Sequence, residues 1–119
     1  MYFYAILCSM TDSHIIKEIT PEDAQEHMAR NAKVLDVRTE SEYARGHIKE
    51  CIHLDIYKEN FSDELQKLAK NETYIVYCGN GGRSGRAVEV MDKLGFKNTH
   101  NLIGGITSWK KKRMPVVIE

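Results

Sequence analysis

The sequence predicts an α/β fold in three layers, with a mostly parallel sheet covered by helices on both faces. Three observations point there. Strand and helix signals alternate along the chain from about residue 15 onward. The run Tyr74-Ile75-Val76-Tyr77 is apolar throughout rather than alternating, the pattern of a parallel strand buried on both faces near the middle of a sheet. Successive strand, helix and strand units close by right-handed crossovers, which distributes the helices over both sides of one sheet.

The elements follow in order. Ile15 to Ile19 reads as a short strand. Thr20-Pro21-Glu22-Asp23 then supplies an N-cap hydroxyl, a proline at the first helical position and acids in the first turn, starting a helix that runs to about Arg30. Val34-Leu35-Asp36-Val37 is a second, brief strand. Thr39 and Glu42 have the spacing of a capping box and open a short helix that Gly46 ends. Ile52-His53-Leu54 is the third strand, and Ser62 caps a helix carrying Leu65 and Leu68. After the fourth strand, Ala87, Val88, Met91 and Leu94 fall at helical spacing from Ser84, with Gly95 placed for a left-handed cap. Thr99 to Leu102 is the last strand, and a short helix ends at the basic run Lys110 to Arg113.

At 119 residues the chain can bury one core without staples, and no repeat, low-complexity tract or Pro/Gly-rich linker divides it. Residues 14–119 are therefore expected to form one domain behind an N-terminal extension, residues 1–13. Lys and Arg number 17 and Asp and Glu 17, so no global field favours nucleic acid or an anionic membrane as partner. An anion site must be local. Three widely spaced cysteines, Cys8, Cys51 and Cys78, suit neither a disulfide framework nor a metal site, and they point to a reducing compartment, the cytoplasm. Tyr2 to Cys8 is apolar but lacks a basic flank and is too short for a signal peptide or a membrane span.

The chemistry concentrates at Cys78. In open α/β sheets ligands bind at the carboxyl ends of the strands, and Cys78 ends the central one. The next residues, Gly79-Asn80-Gly81-Gly82-Arg83-Ser84-Gly85-Arg86, lead into a helix N-terminus with its free amides and partial positive charge. Gly79, Gly81 and Gly82 permit positive φ, so consecutive amides can curl into a nest that holds an anion. A thiol there ionises easily, since its thiolate sits among amide dipoles beside Arg83 and Arg86. Free cysteine alone is more often core filler, but strand, Cys, loop glycines, Arg and helix start in this order favour a cradle with a nucleophile at its floor.

Cys78 to Ser84 resembles the active-site loop of the rhodanese family of sulfurtransferases, C-x-x-G-x-R followed by a helix. Val34 to Ile48 is similar to that family's D-V-R, E-Y and G-H-I signature, and Asn101 to Trp109 to its N-L-x-G-G-I and W ending. The resemblance spans about Ile15 to Val117. It departs at Lys49-Glu50-Cys51, where the family often has small residues and a Pro-Gly-Ala style turn. It implies a single rhodanese domain with a five-stranded parallel sheet and Cys78 as the sulfur-accepting residue, with Gly79, Asn80, Gly81, Gly82, Arg83 and Ser84 as the loop around the transferred sulfur. The implied partners are a small anionic sulfur donor such as thiosulfate, a thiophilic acceptor such as cyanide or a thiol, and in some settings a protein acceptor. No cofactor or metal is implied. Arg83 would hold the loop or pair with the donor's anionic end, and Arg86 faces either the site or solvent.

Other residues take duller readings. Asp36 and Arg38 read as a structural ion pair, His47 as a hydrogen-bonded structural histidine, Trp109 as a core or rim anchor, and Lys110 to Arg113 as a solvated face. Cys8 and Cys51 read as bystanders, with a resolving thiol at Cys51 the alternative. Two other functions compete. Cysteine phosphatases place five residues between Cys and Arg, whereas four separate Cys78 from Arg83, and phosphatases also need a carboxylate general acid that this loop does not offer. A sulfur-carrier module serving a protein partner is the second.

Overall fold

The computed structural model describes residues 17–119. The extension and Cys8 lie outside these residues, as does the Ile15-Ile16 part of the first expected strand. Ten elements alternate along the chain: β1 (Glu18–Ile19), α1 (Pro21–Ala29), β2 (Lys33–Asp36), α2 (Glu40–Ala44), β3 (Ile52–His53), α3 (Phe61–Gln66), β4 (Thr73–Tyr77), α4 (Gly82–Lys93), β5 (Asn98–Leu102) and α5 (Gly105–Lys111). The strands form one five-stranded sheet in the order β1-β5-β4-β2-β3, and every pairing is parallel. β4 is the middle strand. The connections leaving β2 and β4 run toward opposite edges of the sheet, so a crevice opens where these neighbours end.

The pleat explains the unbroken apolar run of β4. Tyr74, Val76 and Cys78 face the layer of α3 and α4, with Leu35, Phe61, Leu65, Ala87, Val88, Met91 and Phe96. Ile75 and Tyr77 face the other layer, with Ile19, Ala24, Val34, Leu102, Ile106 and Trp109 from the α1 and α5 side. Both faces need apolar side chains because both are covered. Trp109 is buried and donates its indole N–H to Pro115 O at 2.8 Å, which ties the C-terminal segment to this layer. No helix among the described residues is long and apolar enough to cross a membrane.

Local signals set several boundaries. Thr20 caps α1 by accepting from Asp23 N at 3.1 Å, with Pro21 at the first position. Thr39 and Glu42 complete a capping box at α2. Gly95 takes φ +96° beyond α4. Two expectations are corrected. α3 begins at Phe61 behind Asn60, which makes no side-chain cap, so Ser62 lies inside the helix and Leu68 beyond its end. Burial of Phe61 against the core outweighs the capping preference of Ser62. α4 begins at Gly82, two residues before Ser84. In the divergent turn, Glu50 adopts φ +61°, a left-handed conformation unusual for a residue with a side chain.

Beneath the crevice lies a buried polar group. Asp36 is fully buried and accepts from Arg38 N at 2.9 Å, from Arg38 Nη2 at 2.7 Å and from the Tyr77 hydroxyl at 2.7 Å. Arg38 Nη2 also donates to Gly46 O at 2.7 Å, so the pair ties β2 to the end of α2. Removing one partner of such a pair strands a buried charge, at a cost of about 3–5 kcal/mol. His47 pairs its backbone with Val117 in an isolated antiparallel bridge, and its Nδ1 lies 3.0 Å from Tyr43 O.

Candidate active site

The thiol of Cys78 lies at the end of β4 with the residue only 1% exposed. Gly81, the N-cap of α4, has no side chain with which to cap the helix, so the first amides of α4 turn to the sulfur instead. Gly81 N donates to Cys78 Sγ at 3.1 Å and Ser84 N at 3.4 Å, and Ser84 Oγ lies at 3.3 Å. The sulfur thus occupies the role of a capping side chain. Burial would push the Cys78 thiol up, but the bonds from the Ser84 hydroxyl and from the amides of Ser84, Gly81 and Asn80 together hold it below its ordinary value.

The carbonyls of the loop must then face away from the sulfur, and α5 receives them. Ile106 N donates to Cys78 O at 2.9 Å and Thr107 N to Gly79 O at 3.2 Å. The two helix N-termini therefore act in opposition: α4 donates amides to the sulfur, and α5 donates its own to the carbonyls behind it. This contact is close enough to require glycine at 105. A Cβ there would stand 2.5 Å from Cys78 O and Gly79 O, at φ +58°. In the loop itself, Gly81 takes φ +108°, whereas Gly79 and Gly82 keep ordinary φ values, so the expectation of three positive-φ glycines reduces to one.

Arg83 turns away from the loop interior to Glu42. Its Nη1 and Nη2 donate to the two carboxylate oxygens at 2.8 and 2.9 Å, a bidentate pair joining α4 to α2 across the crevice. Glu42 also accepts from Thr39 N at 3.1 Å and Thr39 Oγ1 at 3.0 Å. The Arg83 bonds are the chief reason its carboxyl is held down to about 2; burial opposes them and Thr39 assists. Arg83 is raised in turn, first by Glu42. The exposed Tyr57 ring lies 6.0 Å from the guanidinium. Arg86 is exposed and makes no hydrogen bond or ion pair among the described residues. Asn80 sits at the rim, its Oδ1 accepting from Thr107 Oγ1 at 3.2 Å.

Two participants carried no functional reading in the sequence. Glu42 was legible as a helix cap, but its pairing with Arg83 spans 41 residues. Asn101, buried on β5, donates Nδ2 to Gly81 O at 3.1 Å and lies 2.5 Å from Ser84 Oγ through Oδ1. Its position inside the Asn101-Leu102-Ile103-Gly104-Gly105 stretch was the available signal. Cys51 stands across the sheet from Cys78, packed against the other layer with Sγ 3.8 Å from the Tyr77 hydroxyl. Among the described residues, no cluster of His, Cys, Asp and Glu is arranged to hold a metal ion.

Residues 20–112 match the family described as Rhodanese-like domain. A sulfurtransferase of Allochromatium vinosum is 29% identical over 105 residues, spanning 87% of this chain and 96% of the relative. A protein of Haemophilus influenzae named thiosulfate sulfurtransferase GlpE is 32% identical over 101 residues, spanning 84% of this chain and 93% of the relative. Among solved structures, a rhodanese-related protein from Thermoplasma volcanium superposes with a TM-score of 0.79 at 34% identity, covering 87% of this chain and 99% of that one.

Proposed function

This chain belongs to the rhodanese family, and from that premise we propose that it is a sulfurtransferase carrying sulfane sulfur as a persulfide on Cys78. The observation that supports this most is the ring around Cys78 Sγ, where Gly81 N and Ser84 N donate and Ser84 Oγ lies at 3.3 Å, in a loop whose carbonyls are held by α5. Such a ring stabilises a thiolate before any substrate arrives, so no general base is needed.

The reaction proceeds in two displacements. The Cys78 thiolate attacks the outer sulfur of a donor such as thiosulfate, the bond between the two sulfurs of the donor breaks, and sulfite leaves with the electron pair. Cys78 then holds a persulfide whose charge lies on the outer sulfur, within reach of the loop amides. An acceptor, cyanide or a thiolate, attacks that outer sulfur and releases the Cys78 thiolate. Gly79, Asn80, Gly81, Gly82 and Ser84 surround the transferred sulfur. Arg83 secures the loop through Glu42, and the exposed Arg86, which makes no ion pair among the described residues, draws the anionic donor toward the crevice. One domain over residues 14–119 performs the cycle in a reducing compartment such as the cytoplasm, and a protein acceptor can take the place of the small one.

Phosphate ester cleavage fits less well. Four residues between Cys78 and Arg83 make a small ring, suited to one sulfur rather than to a phosphoryl group with its oxygens. Glu42, the carboxyl paired with Arg83 of the loop, is held down to about 2, so it is ionised at neutral pH and has no proton to give a leaving group. Intact mass after incubation with thiosulfate tests the proposal. One added sulfur, removed by cyanide with formation of thiocyanate, is the expected result. An unchanged mass together with hydrolysis of an aryl phosphate would overturn it.

A further inference from the structure

Ser84 has one hydroxyl proton and two acceptors. Its Oγ lies 2.5 Å from Asn101 Oδ1 and 3.3 Å from Cys78 Sγ. The orientation of the Asn101 amide settles which group donates. Nδ2 faces Gly81 O at 3.1 Å and Glu18 Oε2 at 3.5 Å, both pure acceptors, so a flipped amide would set oxygen against oxygen at both contacts. Oδ1 therefore faces Ser84, and only the hydroxyl can supply the proton between them. While that proton points at Asn101, the lone pairs of Ser84 Oγ face the sulfur and suit an S–H donor rather than a thiolate.

We propose that Asn101 is a positioning residue for Cys78: it holds the Ser84 hydroxyl while the cysteine is a thiol and yields it to the sulfur when the thiolate forms. This rests on the reading of Cys78 as the nucleophile. On ionisation the thiol proton leaves to solvent, Ser84 rotates, and its O–H turns from Asn101 Oδ1 to Sγ. Once the persulfide has formed, the charge lies on the outer sulfur and the hydroxyl returns to Asn101. The stabilisation that Ser84 lends the thiolate is thus a difference between two hydrogen bonds, with Asn101 setting how large it is. Ser84 and Asn101 are both buried, which keeps the exchange between these two acceptors.

Other charges bear on the same sulfur. Glu18 approaches the amide of Asn101 from β1, Arg83 approaches from α4 with its charge paired to Glu42 of α2, and α5 contributes the backbone amides of Ile106 and Thr107 behind the loop. Asp36, Arg38 and Cys51 group around Tyr77, which belongs to the opposite layer. Substituting Ser84 alters none of these, and substituting Asn101 alters one, the 3.5 Å contact to Glu18, which the Ser84→Ala background separates from the effect of the hydroxyl.

The test is a double-mutant cycle read by iodoacetamide alkylation of Cys78 against pH, in a Cys8→Ser, Cys51→Ser background. Ser84→Ala should raise the midpoint by about one pH unit, the worth of a hydrogen bond to a charged group. Asn101→Leu removes the competing acceptor while Gly81 O keeps Gly85 N as donor at 3.1 Å, and it should lower the midpoint by about half a unit to one unit. In the Ser84→Ala background the same Asn101→Leu change should move nothing. A rise, no shift, or a shift that persists without the hydroxyl would overturn the proposal. If Asn101→Leu fails to fold by circular dichroism, the infrared S–H stretch at low pH decides instead: it should lie lower in the parent than in Ser84→Ala, and equal frequencies would contradict the assignment. Neither readout needs sulfur transfer, so failure here is distinguishable from failure of the sulfurtransferase reading.

Discussion

Cys78 and Cys51 lie on opposite faces of the same sheet, the first buried and the second half-buried, each near a hydroxyl, yet their thiols are driven in opposite directions. Cys51 Sγ has the Tyr77 hydroxyl at 3.8 Å, and burial pushes this thiol up to about 11. The neighbouring Asp36 carboxylate adds to that rise. Burial acts on Cys78 in the same sense, but Ser84 and the amides of Gly81 and Asn80 reverse the outcome. The lesson is that a strand end becomes reactive through oriented N–H groups and not through concealment. At Cys51 the Tyr77 hydroxyl and a single backbone N–H, its own, do not offset burial, whereas Cys78 ends a strand where a helix begins and gathers the amides of Asn80, Gly81 and Ser84.

The comparison can be broken most severely at the sulfur itself. Because an alcohol ionises far above neutral pH, Cys78→Ser should fold normally and lose thiocyanate formation by at least about a thousandfold, while Cys51→Ser keeps most of it. Equal losses in the two variants would erase the distinction. The next largest effect is expected at the back of the loop. Gly105→Ala places a Cβ against Cys78 O and Gly79 O at a left-handed φ, which must displace the peptide that orients the amides. A misplacement of about an ångström costs on the order of a hundredfold in rate, so sulfur transfer should fall by about that factor. Wild-type rates from Gly105→Ala would mean that α5 does not set the loop.

The smallest effect is expected at Glu42. Glu42→Gln replaces a bidentate ion pair, of which each partner is about a quarter exposed, by at most one neutral hydrogen bond. It should cost about 1 kcal/mol at neutral pH in urea unfolding. The pH dependence has a definite sign. Glu42 is lower in the folded chain, at about 2, than its ordinary carboxylate value, so its contribution is complete above the ordinary value and disappears as pH falls toward 2. The stability gap between parent and variant should therefore narrow through that acid window. A gap that is unchanged there would remove the ion pair as its source.

Features encoded within a few residues were legible in the sequence, and features made by packing distant segments were not. Thr20 and Thr39 cap their helices through contacts three residues long, and the apolar run of β4 follows from burial on both faces, so both could be read directly. Ser62 misled because capping preference is worth less than burying Phe61 one residue earlier. At the site, the order Cys, glycines, Arg and helix identified the loop. The glycine count did not show that Gly81 alone takes positive φ, since backbone conformation depends on how α5 holds the carbonyls. The Glu42 pair with Arg83 and the Asn101 contact with Ser84 join segments separated by 41 and 17 residues. No periodicity or spacing in one sequence reports such distances.

The opposed reactivity of the two thiols is tested most directly by titrating both in one molecule. Wild-type protein is pulsed with iodoacetamide across a pH series, and the Cys78 and Cys51 peptides are quantified separately by mass spectrometry. Cys78 should label with a midpoint below the ~8.5 of an ordinary cysteine, and Cys51 should resist labelling until pH approaches about 11. Coincident midpoints, or a Cys78 midpoint at or above that of an ordinary thiol, would contradict the claim that the amides of Gly81 and Ser84 make this sulfur a nucleophile.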